Sequence, residues 1–147
     1  MGRGWLSFDL DQLAHADVDL PIARAEEFLE FLFREIGIAP VWICPIRPAE
    51  PGRAFTLYPL APGTRYVNFG FWDTVRAPET HPPGHFNRLI ERTVIEFGGI
   101  KSLYSDSYFT HDEFAQAYRM DRYRTLKSKY DPEGQSLDLY DKCVRRA

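Results

Sequence analysis

Two histidines four residues apart are the first residues of this sequence whose spacing suggests chemistry. Side chains at positions i and i+4 share one face of a helix, and two imidazoles placed in this way bind zinc. His81 and His85, however, are separated by Pro82 and Pro83, and proline breaks the interior of a helix. The sequence offers no third ligand nearby. We therefore predict loop histidines and no metal site.

Other familiar catalytic signatures are absent from the sequence. It has no phosphate-binding glycine loop, no dinucleotide fingerprint and no Gly-x-Ser-x-Gly nucleophile turn. Its two cysteines and the lack of a signal-peptide pattern at its start predict a reduced, cytoplasmic protein. No apolar run approaches the roughly 18 residues of a membrane span. A peripheral membrane contact through an exposed apolar rim stays open.

The apolar strand at 65–72 carries side chains that are well placed to meet a ligand. Alternation along a strand puts on one face Tyr66, Asn68, Gly70 and Trp72. An amide such as that of Asn68 is costly on a sheet face unless a ligand or solvent bonds it. On the preceding strand, Trp42 and Cys44 share a face and are expected to line the same pocket. Cys44 is interpreted as a small apolar residue, not a nucleophile.

The elements that position these residues follow from hydrophobic periodicity. A strand at 17–20 leads into an amphipathic helix that Pro21 opens and Gly37 ends. Further strands are predicted at 41–46, 55–60, 65–72 and 101–105, and a second amphipathic helix at 86–97. Thr110 to Glu113 form a capping box that starts a third helix, and a fourth covers 121–130.

This order predicts an α+β fold. An antiparallel or mixed sheet of four or five strands has two long helices on one face, in the ferredoxin-like split βαβ arrangement, with C-terminal helices beyond it. The 147 residues suit a single domain. We divide the chain into a lead-in segment at 1–16, a sheet-and-helix domain at 17–109 and a helical return segment at 110–147. The second sheet face is then free to cover a ligand.

Charge argues against nucleic acid as a partner. The net charge is −3, and no concentrated stripe of Lys and Arg is visible. The aromatic strand loosely matches an RNA-recognition sheet, so a single-stranded RNA-binding sheet is one alternative function. A stand-alone module that binds an apolar ligand or a protein is the other, since aromatic residues make up 15% of the chain and line apolar pockets.

A resemblance to one enzyme family runs through much of the chain. It is carried by Asp17 to Arg47 with the run Pro40-Val41-Trp42-Ile43-Cys44-Pro45, by Tyr66 to Gly70, by Phe97 to Gly99, by Leu103 to Asp106, by Tyr123 to Tyr130, and by Leu139 to Cys143. These segments resemble the Δ24-sterol reductase (Diminuto) group of the vanillyl-alcohol oxidase superfamily of FAD enzymes. The resemblance spans most of residues 17–146.

The resemblance implies that this chain is the substrate-binding cap and C-terminal return segment of such an enzyme, without its FAD-binding domain. The whole enzyme would transfer a hydride between the flavin and a C=C or alcohol carbon of a hydrophobic, sterol-like substrate, with NADPH as the electron donor of the reductases. The fragment alone is expected to be inactive. It is also expected to self-associate through its exposed apolar face.

Site residues follow from the same resemblance. Tyr104 is expected to exchange a proton with the substrate, and Asp106 is expected to orient Tyr104 or to bind a polar group. The alternatives are a core tyrosine and a turn aspartate. Ser105 stands where the decaprenyl-phosphoryl-ribose oxidase relatives have a lysine beside the flavin. Lys129 and Tyr130 either contact FAD or form a solvated helix end. The residues expected to face the substrate or flavin are Trp42, Cys44, Tyr66, Asn68, Trp72 and Ser105.

Overall fold

The computed structural model describes residues 11–50 and 52–146. The strands are β1 (Asp11–Pro21), β2 (Trp42–Ile46), β3 (Tyr66–Arg76) and β4 (Ile100–Lys101). The helices are α1 (Ala25–Phe31), α2 (His85–Glu96), α3 (His111–Ala117) and α4 (Met120–Tyr130). A 3₁₀ turn (Ile22–Arg24) precedes α1, and π-helical turns follow α1 (Leu32–Ile36) and end the described chain (Asp141–Arg145).

The strands form one sheet in the order β2-β3-β1-β4, in which every neighbouring pair is antiparallel. With α1 between β1 and β2 and α2 between β3 and β4, this is the predicted split βαβ arrangement. The predicted α+β fold is therefore confirmed. The register places Gly70 of β3 opposite Asp17 on one side and Trp42 on the other.

Both long helices cover the same face of the sheet. The even positions of β1 and the odd positions of β3 point to that face, and their small and branched side chains interdigitate with the apolar stripes of α1 and α2. The buried residues of this core include Ala14, Ala16, Val18, Leu20, Phe28, Leu32, Val67, Phe69, Phe71, Phe86, Ile90 and Val94. At roughly 25 cal/mol per Å² of apolar area buried, these side chains are the main source of folding free energy.

The C-terminal helices build a second apolar cluster beyond β4. Ile100, Phe109, Phe114, Tyr118 and Met120 are buried together, and Tyr58 and Leu60 of the β2–β3 connection pack against them. The predicted capping box starts α3: Thr110 Oγ1 accepts from the Glu113 amide, and Glu113 accepts from the Thr110 amide. This cluster and the connection cover the β4 side of the second sheet face.

Three predicted strands differ from the structure. β1 starts at Asp11 and not at Asp17, so part of the expected lead-in at 1–16 is strand, while residues 1–10 lie outside the described residues. The segment 55–60 is not a strand, because it turns back over the sheet and Tyr58 bonds Asp19 across it. β4 ends at Lys101. The Ser102 amide still donates to the carbonyl of Asp17 on β1 at 2.8 Å, but the chain then leaves the sheet, and the carbonyls of Ser105 and Asp106 accept from the lysine side chain.

Candidate functional site

The uncovered part of the second sheet face is an aromatic groove. We use the name groove for the surface formed by His15, Asp17, Trp42, Gly70 and Trp72, which is bordered by Pro40 and Phe71. The side chain of Trp42 is 67% exposed and that of Trp72 73% exposed. Large aromatic side chains that are this exposed on one face of a small protein make the groove a candidate ligand- or protein-binding surface.

Gly70 forms the floor of the groove. A Cβ atom on this residue would lie 2.8 Å from Asp17 Oδ1 and 3.4 Å from Trp42 Cβ. The Asp17 carboxylate and the Cβ atom of Trp42 therefore approach the same point above the backbone, from the strands on either side. Any side chain at position 70 would fill the space between them, so glycine keeps this part of the groove flat.

A row of stacked rings links the groove to the expected catalytic segment. The imidazole of His15 stacks on Trp72 with ring centroids 5.2 Å apart and an interplanar angle of 24°. The same imidazole also lies next to the ring of Tyr104, with centroids 5.7 Å apart and the two rings tilted by 57°. Tyr104 is 65% exposed. The structure thus brings Tyr104 next to the tryptophan surface, although the two are far apart in sequence.

Lys101 holds the segment that carries Tyr104. Its ammonium is buried and donates to the carbonyls of Ser105 (3.3 Å) and Asp106 (2.9 Å) and to Ser107 Oγ (2.9 Å). All three protons of the ammonium are used in this way. The irregular chain after Tyr104 therefore has donors for its carbonyl groups, and it needs no sheet neighbour.

Glu91 of α2 completes this anchor. It is fully buried and lies 3.8 Å from Lys101 Nζ. Both of its carboxylate oxygens accept from the amide of Tyr108, at 3.0 and 3.1 Å. Burial raises the pKa of Glu91 to about 7 and lowers the pKa of Lys101. We call Glu91, Lys101 and the chain at 105–108 the lysine anchor.

The other expected residues of this segment are placed as follows. Ser105 is buried, and its hydroxyl has no partner among the described residues. Asp106 forms an ion pair with Arg146, with 2.7 Å between Oδ2 and the guanidinium. Asp106 thus connects the Tyr104 segment to the C-terminal turn.

Two residues expected to face a ligand lie under the β2–β3 connection. Tyr66 is 3% exposed, and its hydroxyl accepts from the amide of Ala61 at 2.8 Å. The expectation that Tyr66 is exposed is wrong, because residues 58–61 fold over it. The Asn68 amide donates to Asp19 Oδ1 at 2.9 Å, so a protein carboxylate partners this amide.

The remaining sequence predictions concern a thiol, a helix end and the histidine pair. Cys44 lies on the same sheet face as Trp42, as the alternation predicts, and is half-buried. Lys129 Nζ lies 5.0 Å from the centroid of the Tyr130 ring, and neither residue lines the groove. His81 and His85 stack face to face with centroids 4.2 Å apart.

His15 and Asp17 were missed as site residues. Both lie on β1 and face the groove, but the first falls in the expected lead-in and the second was noted only as part of a strand. Lys101 and Glu91 were missed as well, because charged residues are almost never fully buried unless paired. One signal was available: His15, Asp17 and Asp19 alternate with Ala14, Ala16 and Val18, which is a strand pattern with one polar face.

The comparison with known proteins gives one relative of this chain. Over 132 residues, or 88% of its length, the chain is 26% identical to the Delta(24)-sterol reductase homolog dhcr-24 of Caenorhabditis elegans. It spans 24% of that protein's length. No protein-family model matches the chain. No solved structure matches it either.

The helices were also compared with what a bilayer requires. No helix among the described residues is both long enough and apolar enough to cross a membrane.

Proposed function

We propose that this chain is the substrate-covering part of an FAD-dependent oxidoreductase. The observation that carries the proposal is the groove, an aromatic surface on the sheet face that the protein's own helices leave uncovered. The similarity to a sterol reductase homolog over most of the chain supports the same class of enzyme. The chain matches only 24% of that relative's length. This agrees with a chain that covers a site whose cofactor is bound by another part of the enzyme.

The residues present suit a flat conjugated ring. Gly70 leaves the floor of the groove free of a side chain, and a Cβ there would meet Asp17 and Trp42. Exposed indole rings stack on planar π-systems, and each such contact contributes roughly 1–3 kcal/mol. Flavin, when bound by the whole enzyme, supplies the hydride chemistry that side chains cannot perform.

The chain's own residues have three tasks in this proposal. Trp42 and Trp72 exclude water from the reacting centre and bind an apolar, sterol-like substrate with a C=C bond or an alcohol. Tyr104, exposed beside His15, exchanges a proton with the substrate. Asp106 and the lysine anchor hold the Tyr104 segment in place. NADPH is the electron donor proposed for the whole enzyme, and the FAD-binding domain is the proposed partner of the groove.

The alternative of an RNA-binding sheet is disfavoured by the groove itself. Asp17 points to the aromatic face and lines the groove, so a phosphate backbone there would meet its carboxylate. RNA-recognition sheets combine aromatic rings with positive charge. A stand-alone protein-binding module keeps one supporting observation, since Trp42 and Ile43 are exposed on the edge strand β2, where self-association is expected.

The test uses the purified chain and FMN. The chain should purify without colour, because it should hold flavin only by stacking. In an NMR titration the indole N–H signals of Trp42 and Trp72 should shift, with a Kd of about 1 mM, the affinity that roughly 4 kcal/mol provides. Trp72→Ala should weaken binding at least about fivefold, whereas Phe33→Ala, which removes an exposed ring from the turn after α1, should not.

Two outcomes would contradict this proposal. A yellow preparation with stoichiometric FAD would mean that the chain has a complete flavin site of its own. FMN-induced shifts that spare both groove tryptophans would mean that the aromatic surface does not bind such a ring.

A further inference from the structure

The groove carries negative charge that no cation of the described chain balances. Asp17 lines the groove, and Asp19 is buried next to it on the same face of β1. None of the ion pairs between described residues includes either carboxylate. Asp19 is bonded by Asn68 and by the Tyr58 hydroxyl. Burial raises the pKa of Tyr58, so both partners are neutral.

The aromatic walls add to this negative potential. The face of an indole ring is the negative part of its quadrupole, and tryptophan is the best side-chain partner for a cation. Trp42 Cβ and Asp17 Oδ1 both come within 3.4 Å of the point that a Cβ on Gly70 would occupy. The Asp17 carboxylate and the base of the Trp42 side chain therefore lie on either side of Gly70, and both tryptophans line the same groove as Asp17.

We propose that the groove binds an organic cation, with Asp17 as the counter-charge and Trp42 and Trp72 as the stacking walls. A ligand that covers the Asp17 carboxylate binds more tightly when it also brings a positive charge, because a covered and unpaired carboxylate is costly. A guanidinium, an alkylated ammonium or a cationic aromatic ring pairs the carboxylate and stacks on the indoles at once. This adds a charge requirement to the groove and does not depend on the flavin chemistry proposed above.

The cation has two possible sources, an arginine side chain of a covering polypeptide or a free ligand. Two matched pairs of probes separate them. Nα-acetylargininamide and Nα-acetylcitrullinamide differ in charge on the same side-chain shape. 1-Methylquinolinium and quinoline differ in charge on the same flat ring at pH 7.5. Each is titrated into the purified chain, and the indole N–H signals of Trp42 and Trp72 are followed by NMR.

At least one cation should bind about fivefold or more tightly than its neutral partner, since a half-exposed ion pair and a cation–π contact each add modestly. A preference confined to the arginine pair assigns the site to a polypeptide, and one confined to the quinoline pair to a free ligand. Asp17→Asn should abolish the preference and spare quinoline binding. Asp112→Asn, which neutralises an exposed carboxylate on α3, should keep it.

Salt gives a second readout that needs no variant. Raising NaCl from about 0.05 to 0.5 M should weaken binding of the cation and leave the neutral probe unchanged, because the Debye length falls with ionic strength. Equal affinities within both pairs, or a preference that survives in Asp17→Asn, would overturn the inference. Either result would leave the FMN test of the aromatic surface intact, whereas failure of every probe to shift the tryptophans would count against both.

Discussion

The lysine anchor and the groove treat buried polarity and exposed aromatic surface in opposite ways. In the anchor, Glu91 and Lys101 are withdrawn from water, and the ammonium and the carboxylate both have protein partners. In the groove, two indole rings are exposed to solvent and Asp17 has no ion-pair partner among the described residues. The anchor therefore stabilises the fold, and the groove is the surface at which we propose that the protein binds.

The two regions are also connected. Tyr104 precedes the chain that Lys101 holds, and its ring meets His15 at the margin of the groove. A rigid support for a side chain at a binding surface is what precise placement of a reacting group requires. We therefore expect mutations in the anchor to change stability strongly and mutations in the groove to change binding with little loss of stability.

The largest effect is expected from Lys101→Met. The substitution removes a buried cation 3.8 Å from Glu91, which among the described residues keeps only Arg88 as a neighbouring cation, at 3.7 Å. It also leaves the carbonyls of Ser105 and Asp106 without their donor. The free energy of unfolding, measured by urea titration, should fall by about 3–5 kcal/mol. Lys129→Met, which changes an exposed lysine at the end of α4, should alter it by less than about 0.5 kcal/mol. Equal effects of the two variants would break the comparison.

A pair of glycine variants should sharpen the comparison between the lysine anchor and the groove. Gly84 has φ +75°, and a Cβ there would lie 2.1 Å from the ring of Tyr108, so Gly84→Ala should lower the free energy of unfolding by about 2–5 kcal/mol. At Gly70 the nearest obstacle is the tip of the Asp17 side chain, which can move. Gly70→Ala should therefore cost less than about 1 kcal/mol and weaken FMN binding. Thermal unfolding and the NMR titration measure both, and the reverse order would contradict the account.

The anchor should also give the protein a distinctive pH dependence. Burial raises the pKa of Glu91 from 4.5 to about 7, so the folded state holds this proton more tightly than the unfolded state. The stabilisation is complete below pH 4.5 and is lost as the pH rises through 7. Hydrogen bonds from Thr110 and Arg88 lower the pKa of Glu113 to about 2, and that contribution is lost instead as the pH falls.

The measurement is the free energy of unfolding between about pH 5 and 8 for the wild type and for Glu91→Gln. The substituted side chain would keep an acceptor for the Tyr108 amide without titrating. The wild type should lose stability relative to the variant as the pH rises across this range. Parallel curves would show that Glu91 has an ordinary pKa, despite the burial and the neighbouring charges of Arg88, Lys101 and Glu113.

The smallest effect on stability is expected in the groove. Trp72 is mostly exposed, so Trp72→Ala should change the free energy of unfolding by no more than about 0.5 kcal/mol. A drop as large as that of Lys101→Met would mean that the ring supports the fold and is not reserved for a ligand. Chemical denaturation followed by circular dichroism avoids the loss of the tryptophan signal.

Local patterns predicted much of this fold. The apolar spacing of Phe28, Leu32 and Ile36 and that of Phe86, Ile90 and Val94 identified α1 and α2, and the pair Thr110 and Glu113 identified the start of α3. These features depend on neighbours within one or two helical turns. The first half of β1 was missed because its inward residues are Gln12, Ala14 and Ala16, which give a weak hydrophobic signal.

The site depended on contacts that no local pattern contains. Alternation placed Tyr66 on the ligand side of the sheet correctly, yet the connection at 58–61 returns over it and buries it. Asn68 lies on that face as well and finds its partner in Asp19, on the neighbouring strand. The role of Lys101 requires α2, β4 and the chain at 105–108 to meet, which only tertiary structure specifies. The functions assigned to Tyr104, Asp106 and Ser105 remain predictions.

The most direct test of the central claim is to locate a flavin ring on the protein. With FMN at saturating concentration, intermolecular nuclear Overhauser effects should join the ring methyl groups to Trp42 and Trp72. At the same FMN concentration these effects should be weaker in Gly70→Ala. Contacts to the outer faces of α1 and α2 instead, with the groove tryptophans unaffected, would contradict the claim that this sheet surface is made to cover such a ring.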